Sequence, residues 1–281
     1  MNRNRQLAIR NLAPAQHESA LRLMHSARHV HRHLDWLDEQ SYLSAGPSMA
    51  AWEQDEPVAL LVCPPEAPGT AWIRIFSVRR QISLSRSFQQ LWTATRASLQ
   101  AENIQRVACM PIGAWFSPLL EEAGFSITDH VIFYEQDLPG ALSTPDPAIR
   151  CFKHSDLKAV QAVDEQAFSS IWRHAEAAVG KAVETASYTT VLEVDSRIVG
   201  YQISTENTFG AHLARLAVLP DIQNQGIGSR LVQDLLSHFS RMGMFRVTVN
   251  TQNRNLASRH VYEKLGFQLM DLRYPVYDIR I

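Results

Sequence analysis

Gln223-Asn224-Gln225-Gly226-Ile227-Gly228 joins an apolar strand, predicted over residues 213–218, to an amphipathic helix predicted to begin near Ser229. A strand that passes through a glycine turn into a helix directs several free backbone N–H groups, and the positive end of the helix dipole, toward one point. Such a point binds phosphate groups. Because Gly226 and Gly228 lack a Cβ, a pyrophosphate can approach the main chain closely. The stretch therefore predicts a phosphate-binding turn.

Two motifs in sequence order connect this turn to a known family. The turn lacks the third glycine of a dinucleotide-binding fingerprint and the Lys-Ser/Thr of a nucleoside triphosphate loop. It resembles the acyl-CoA-binding signature Gln/Arg-x-x-Gly-x-Gly/Ala of the GCN5-related N-acetyltransferases (GNAT), with Gln223, Gly226 and Gly228 at the defining positions. Residues 250–255, followed by Tyr262-Glu263-Lys264-Leu265-Gly266-Phe267, resemble the closing motif of the same family.

Composition limits the class of protein. A chain of 281 residues, 46% of them hydrophobic, is long enough for two domains with real cores. The sequence contains no apolar run of the roughly 18 residues that a membrane span needs, and no signal-peptide core follows the polar start. A net charge of −1 gives no global attraction to nucleic acid or to anionic membranes. We therefore expect a cytoplasmic protein that binds neither nucleic acid nor membranes.

The three cysteines, Cys63, Cys109 and Cys151, are isolated in sequence, which predicts buried reduced thiols and no disulfide framework or cysteine metal site. His25, His29 and His33 recur every four residues and are compatible with one helix face. Ser26 stands where a zinc-protease motif needs glutamate, so we expect no metal.

The chain repeats one pattern. Ala8-Ile9-Arg10 recurs as Ala148-Ile149-Arg150, and Ala123-Gly124-Phe125 recurs as Leu265-Gly266-Phe267. The Pro/Ser/Thr-containing stretch 139–147 separates the copies, so we predict domains at 1–144 and 145–281. The resemblance implies two tandem acyl-CoA N-acyltransferase folds of the α/β (α+β) class. Each is expected to have a mixed, mostly antiparallel sheet, flanked by helices and splayed between its fourth and fifth strands.

The first copy has lost the motif residues. Residues 79–85, where its glycine turn should be, contain no glycine, and Leu120 stands at the position of Tyr262. Side chains would crowd a phosphate there. We therefore expect domain 1–144 to be degenerate and without catalysis.

The resemblance implies a role for each motif residue in holding acetyl-CoA. Backbone amides from Gln225 to Ser229 would hold the pyrophosphate, and the main chain at Ala217 and Val218 would pair with the pantetheine like an added strand, the Val218 N–H facing the thioester oxygen. Asn255 falls at a polar position that contacts the pantetheine arm. The cofactor-binding residues implied are Ala217, Val218, Gln223, Asn224, Gln225, Gly226, Ile227, Gly228, Ser229 and Asn255.

The resemblance also implies catalytic residues. Tyr262 falls on the usual general acid, which protonates the coenzyme A thiolate. In ribosomal-protein-type relatives a glutamate stands twelve residues before that tyrosine, but here the residue is Asn250, which cannot accept a proton. His212 falls on the base position of the histone-type branch, and histidine titrates near neutrality. The alternative is a strand-end histidine at the sheet edge, with Glu206 or a water chain as the base. Trp172 lies in the region that shapes the acceptor site.

We thus expect an N-acetyltransferase that transfers acetyl from acetyl-CoA to a primary amine, favouring a small molecule, by direct attack. Two alternatives stay open: acetylation of a protein N-terminus or lysine, and a non-catalytic acyl-CoA-binding sensor. A monomer or a homodimer is compatible with two fused copies.

Overall fold

The computed structural model describes residues 7–138 and 146–281. The repeat predicts, for each copy, a strand, helices, a hairpin, a strand, a long helix, a strand, a helix and two final strands. The described residues follow this order, except that the first copy contains further short strands and each copy ends in one strand. They divide into two units, the first containing the described residues up to Thr128 together with Pro275–Ile281, and the second Asp129–Tyr274. The predicted boundary between residues 144 and 145 lies outside the described residues. None of the described helices combines the length and the apolarity needed to cross a membrane.

The first unit is built on a largely antiparallel sheet. Its elements are β1 (Ala8–Asn11), α1 (His17–Ser26), β2 (His29–Arg32), α2 (Glu39–Ser44), β3 (Ser48–Glu53), β4 (Glu56–Val62), β5 (Pro65–Ala67), β6 (Thr70–Trp72), β7 (Ile75–Val78), α3 (Leu84–Ala101), β8 (Arg106–Cys109) and α4 (Ser117–Glu122). The sheet order is β1-β3-β4-β7-β2, and β6 pairs in parallel with β8. The core contains Phe76, Phe88 and Phe116.

The structure corrects the prediction for the histidines. His25 is in the last turn of α1, where Ala27 takes an extended conformation (φ −74°, ψ 147°) and ends the helix. His29 and His31 belong to β2, and His33 follows it. A spacing of four residues therefore does not place them on one helix face, because the chain changes from helix to strand between them.

The second unit is a mixed, mostly antiparallel sheet with helices on it, as the sequence predicts. Its elements are β9 (Ser126–Asp137, from Asp129 onward), β10 (Ile149–Cys151), α5 (Leu157–Ala167), α6 (Glu176–Thr185), β11 (Tyr188–Val194), β12 (Arg197–Asn207), β13 (Gly210–Val218), α7 (Ile227–Arg241), β14 (Arg246–Gln252), α8 (Leu256–Lys264) and β15 (Gln268–Arg280, up to Tyr274). The strand order is β10-β11-β12-β13-β14-β9-β15. Among these described strands, β13 and β14 form the parallel pair.

Two further predictions concern a turn and the cysteines. Asp195-Ser196 lies between two strand patterns and is typical of a hairpin turn, and these residues form that turn between β11 and β12, both with positive φ (48° and 62°). Cys63 and Cys109 are buried free thiols, but Cys151 is exposed. The expectation that all three are buried is therefore wrong for Cys151, because β10 is an edge strand.

The two units do not coincide with the two sequence copies. Most of β9, from the end of the first copy, belongs to the second unit, where it pairs with β14 from Val131 to Asp137. Pro275–Ile281, at the end of the second copy, belongs to the first unit, where Tyr277 pairs with Cys109 of β8. Each unit therefore takes a strand segment from the other copy of the repeat.

Candidate functional site

The second unit contains a splay between its two parallel strands. β13 and β14 pair only from Ala211–Val247 to Leu213–Val249. Beyond this point β13 continues to Val218 beside β12, and the end of β14 pairs with β9. The register of β12 with β13 also shifts here, since Ser204 faces Leu213 and Ile203 faces Arg215, which leaves Ala214 as the extra residue of a bulge. The splay therefore begins at a bulge, between the fourth and fifth strands as predicted.

The glycine turn lies at the end of β13. Gly226 is the N-cap of α7 and has a φ of +81°, and Asn224 also has a positive φ of 63°. Gly226 has no side chain with which to cap the first turn of α7. The Nε2 of Gln223 donates to the carbonyl of Val218 (3.0 Å), which ties the turn to the strand. An exposed helix N-terminus without a side-chain cap leaves backbone N–H groups free to bind an anion.

Gly228 is where the turn, the strand and the last helix approach each other. A Cβ built on it would lie 3.8 Å from Val261 of α8 and 3.9 Å from Leu216 and Val218 of β13. These are ordinary contact distances, so packing does not require glycine at this position. The residues from Ala217 to Ser229 that are predicted to bind acetyl-CoA belong to one short stretch of chain. The helix α8, which contains Tyr262, packs against this stretch.

Asn255 is the N-cap of α8. Its Oδ1 accepts from the N–H of Ser258 (3.1 Å), and its Nδ2 donates to Oε1 of Gln252 (3.3 Å). The side chain therefore fixes the start of α8. Its contact with pantetheine stays a prediction.

Tyr262 is 3% exposed and lies within an aromatic group, its ring 5.9 Å from that of Tyr134 and 5.7 Å from that of Phe267. Burial raises the pKa of Tyr262 above its usual value, and a hydrogen bond with Ser258 opposes this only in part. The phenol therefore keeps its proton at neutral pH, as a proton donor must.

His212 lies inside the sheet, in the short parallel pairing that precedes the splay. Its Nδ1 is 2.8 Å from Oγ1 of Thr248, whose hydroxyl donates to the carbonyl of Ala211 (3.4 Å). We assign the proton to Nδ1 on this basis, which leaves the Nε2 lone pair available. Burial lowers the pKa of His212, so the ring is neutral at pH 7.

Glu206, the alternative base, and Trp172, the residue predicted at the acceptor site, lie on different elements. Glu206 is exposed near the end of β12, opposite Ala211. Trp172 ends a short 3-10 turn, Ser170–Trp172, and is half-buried. The apolar pattern of residues 171–186 predicts one continuous helix. This prediction is wrong in its first part, since the chain is extended at Arg173 and α6 begins only at Glu176.

A buried charge network supports the turn that contains Trp172, and the motifs did not reveal it. Arg215 of β13 pairs with Asp164 of α5 (Nη2 to Oδ2, 2.8 Å), and Tyr201 donates a hydrogen bond to the same carboxylate. The second N–H of this Nη2 reaches the carbonyl of Trp172 (3.0 Å). Breaking a buried ion pair of this kind costs about 3–5 kcal/mol. The available sequence signal was a charged residue on the apolar face of each element, since Asp164 shares the face of Val160 and Val163, and Arg215 is in phase with Leu213 and Ala217.

Tyr134 is a second residue that the motifs missed. Its hydroxyl donates to Oε1 of Glu263 (2.7 Å) and accepts from Nε of Arg259 (3.2 Å), both on α8. It thereby fixes the helix of Tyr262 from β9. No local pattern connects Tyr134 to this site, because β9 comes from the first sequence copy.

The equivalent splay of the first unit is occupied by its own chain. β6 pairs in parallel with β8 from Thr70–Arg106 to Trp72–Ala108, as β13 does with β14. Where β13 has no partner on that side among the described strands, β2 pairs with β7, from His29–Val78 to Arg32–Ile75. That the first unit is without catalysis stays a prediction.

Comparison with known proteins gives a consistent result. Residues 157–267 match the family model described as acetyltransferase (GNAT) family. An uncharacterised N-acetyltransferase of Methanocaldococcus jannaschii is 25% identical over 121 residues, which are 43% of this chain and 77% of that protein. The [ribosomal protein bS18]-alanine N-acetyltransferase of Escherichia coli K12 is 25% identical over 135 residues, 47% of this chain and 90% of that enzyme.

A solved structure is similar over both copies. A tandem GNAT protein from the clavulanic acid biosynthesis pathway has a TM-score of 0.63 and 14% identity, covering 98% of each chain. At this identity the likeness shows the fold alone. It supports the tandem arrangement that the sequence repeat predicts.

Proposed function

We propose that the second unit, in which residues 157–267 match the acetyltransferase (GNAT) family model, transfers an acetyl group from acetyl-CoA to the primary amine of a small molecule. The observation that carries the proposal is the glycine turn, uncapped and exposed, at the end of the strand that borders the splay. The turn can hold a pyrophosphate through backbone N–H groups. The splay offers the free edge of β13 to the amide-containing pantetheine arm.

The reaction needs a neutral amine, a polarised carbonyl and a proton for the departing thiolate. In the proposed mechanism, Nε2 of His212 takes a proton from the ammonium, directly or through water. The amine nitrogen then attacks the thioester carbon, a C–N bond forms and the C–S bond breaks, and the nitrogen gives its second proton to water, which leaves the neutral amide. The N–H of Val218 stabilises the carbonyl oxygen, and Tyr262 gives its proton to the thiolate sulfur. Exchange with solvent restores both protonation states.

A second candidate is acetylation of a protein N-terminus, which the similarity to the bS18-alanine N-acetyltransferase of Escherichia coli favours. Asn250 weighs against it, because this residue stands where the ribosomal-protein-type pattern has its glutamate. An assay of acetyl-CoA consumption with small amines in parallel with alanine-ended peptides separates the two candidates.

Substitution of Tyr262 by phenylalanine tests the proposed acid. We expect kcat for the best amine to fall roughly 100-fold, the lower end of the usual contribution of a general acid. Binding of acetyl-CoA should be unchanged, because the hydroxyl acts only on the leaving thiolate. Stopped assays of free coenzyme A thiol give kcat, and calorimetry gives the affinity. Tyr188→Phe is the matched control, since it removes a hydroxyl that donates to Asp234 in the same unit. Equal rates for wild type and Tyr262→Phe would rule out this role.

The pH dependence of kcat/KM tests His212. Since burial lowers its pKa below the ordinary value of 6.5, we expect activity to fall on the acid side with a midpoint below about 6.5. His212→Gln should lower the plateau and remove this acid limb. His238→Gln, which alters another histidine of the second unit whose pKa burial lowers, should keep the limb. Retention of the limb in His212→Gln would show that another group is the base.

The same pKa shift affects stability, and the experiment must separate the two effects. A histidine whose pKa is lower in the folded state than in the unfolded state destabilises the fold as pH falls below the unfolded value. Circular dichroism at each pH identifies the range in which the protein stays folded. Only rates within that range count in the pH profile.

A further inference from the structure

The first unit contains a cavity of about 450 Å³, which we call the β2 cavity. It is bordered by the end of α1, by β2 and by the loop after β8, with Val30, Arg32 and Trp115 among its lining residues. Three properties of its walls point to one class of ligand.

The first property is a free strand edge. β2 is the last strand of its sheet, and its register with β7 is continued by a hydrogen bond from His33 N–H to the carbonyl of Arg74 (2.9 Å). In an antiparallel pair, residues alternate between those whose peptide groups face the partner and those whose peptide groups face away. His31 and His29 stand two and four residues before His33, so their peptide groups also face β7. The peptide groups of the alternate residues, Val30 and Arg32, therefore face away from β7. These two residues line the cavity, whose wall can therefore pair with an extended, amide-containing chain.

The second property is a positively charged side chain, Arg32, whose guanidinium is not saturated with hydrogen bonds to the described residues. Nε of Arg32 is buried and has no hydrogen-bond partner within the described chain. Its Nη2 donates to the carbonyl of Met24 at 3.3 Å, and Oε1 of Glu39 is 3.7 Å from Nε, within ion-pair range but too far for a hydrogen bond. Because Nε is out of reach of a ligand, a carboxylate would bind the planar fork formed by one N–H of each Nη, on a side chain that is 35% exposed. With one carboxylate already near it, a single arginine suits a monoanion better than a doubly charged phosphate.

The third property is a rigid apolar wall. The ring of Trp115 stacks on Phe116 (5.3 Å between centroids) and contacts His29 (5.1 Å). Gly113 leaves no room for adjustment, because a Cβ added there would lie 2.5 Å from Nε1 of Trp115. Ile112, 45% exposed, adds apolar surface beside it. Such a wall accepts an apolar side chain.

We propose that the β2 cavity binds a short, extended peptide-like molecule that ends in a carboxylate. Its amides pair with the edge of β2, its last side chain packs on Trp115, and its carboxylate binds the fork of Arg32. This site goes beyond the proposed acetyl transfer and uses no residue of the second unit.

The test uses the full chain and the blocked dipeptide N-acetyl-Ala-Leu, with N-acetyl-Ala-Leu-amide as the matched ligand. The acetyl group keeps the peptide from being an acceptor in the second unit, so failure of the proposed acetyl transfer does not affect this result. By calorimetry, we expect the carboxylate to bind at least tenfold more tightly than the amide, because charge-assisted hydrogen bonds to the guanidinium are lost in the amide. Equal affinities of the two ligands, or no binding of the carboxylate, would overturn the proposal.

Three variants locate the binding. Arg32→Gln should reduce the affinity for the carboxylate at least tenfold and make it equal to that for the amide. Gly113→Ala should weaken both ligands, because its Cβ displaces Trp115. Arg28→Gln removes the same charge from an exposed residue that does not line the cavity, and it should bind like wild type. Loss of binding in Arg28→Gln equal to that in Arg32→Gln would show long-range attraction instead of a site.

Discussion

Replacement of Gly226 by aspartate is expected to weaken acetyl-CoA binding by at least about 100-fold. Gly226 has a φ of +81°, a conformation that costs other residues about 1–2 kcal/mol. If the strain is relieved by a shift of the turn, the backbone N–H groups no longer converge on one point. The new carboxylate also stands where the proposed ligand carries phosphates, and like charges repel. The two effects together need to reach about 2.8 kcal/mol for this loss, since each 1.4 kcal/mol is tenfold.

Two further variants separate strain from charge. A Cβ at Gly226 would meet no atom within 4 Å, so Gly226→Ala adds backbone strain alone and should cost about tenfold in affinity. Gly243, just after α7, has a similar φ of +78° and equally open space. Gly243→Asp should therefore lower thermal stability to a similar extent while the affinity for acetyl-CoA stays at the wild-type value. Calorimetric titration and thermal melting of all four proteins measure both quantities. Wild-type affinity in Gly226→Asp would exclude the turn as the phosphate site.

Features encoded by neighbouring residues could be predicted from the sequence. The glycine turn and the hairpin at Asp195-Ser196 depend on backbone conformations within a few residues, and the repeat supplied the order of elements. The placement of Tyr262 on a helix beside the turn followed from a motif at fixed spacing. These are local signals, which a single sequence contains in full.

Features that depend on distant residues could not be predicted. Residues 25–33 read as helix because His25, His29 and His33 recur every four residues, but the pairing of β2 with β7 makes residues 29–32 a strand. The ion pair of Arg215 and Asp164 joins residues 51 positions apart in sequence. In both cases tertiary partners decide the outcome, and one sequence without its fold does not identify them.

The exchange of strand segments between the copies also depends on residues that are far apart in sequence. It decides which fragment of the chain is expected to fold. The second unit is one continuous segment, Asp129–Tyr274, whereas the sequence repeat suggests a fragment of residues 145–281. The repeat-based fragment lacks β9, which pairs with β14 over seven positions. It also lacks Ile132 and Tyr134, which are buried in the core of the second unit.

We expect a fragment of residues 129–274 to fold cooperatively and to bind acetyl-CoA within a few-fold of the full chain, and the 145–281 fragment to do neither. Loss of two large core side chains costs roughly 2–5 kcal/mol each, and the open edge of β14 adds unpaired backbone groups. Together these losses match the whole stability of a typical domain, about 5–15 kcal/mol. Size-exclusion chromatography, circular dichroism and calorimetry of the two fragments measure the difference. A soluble 145–281 fragment that binds acetyl-CoA as well as the 129–274 fragment would show that β9 is dispensable. The boundary would then follow the repeat, because the second copy would hold its core without a strand from the first.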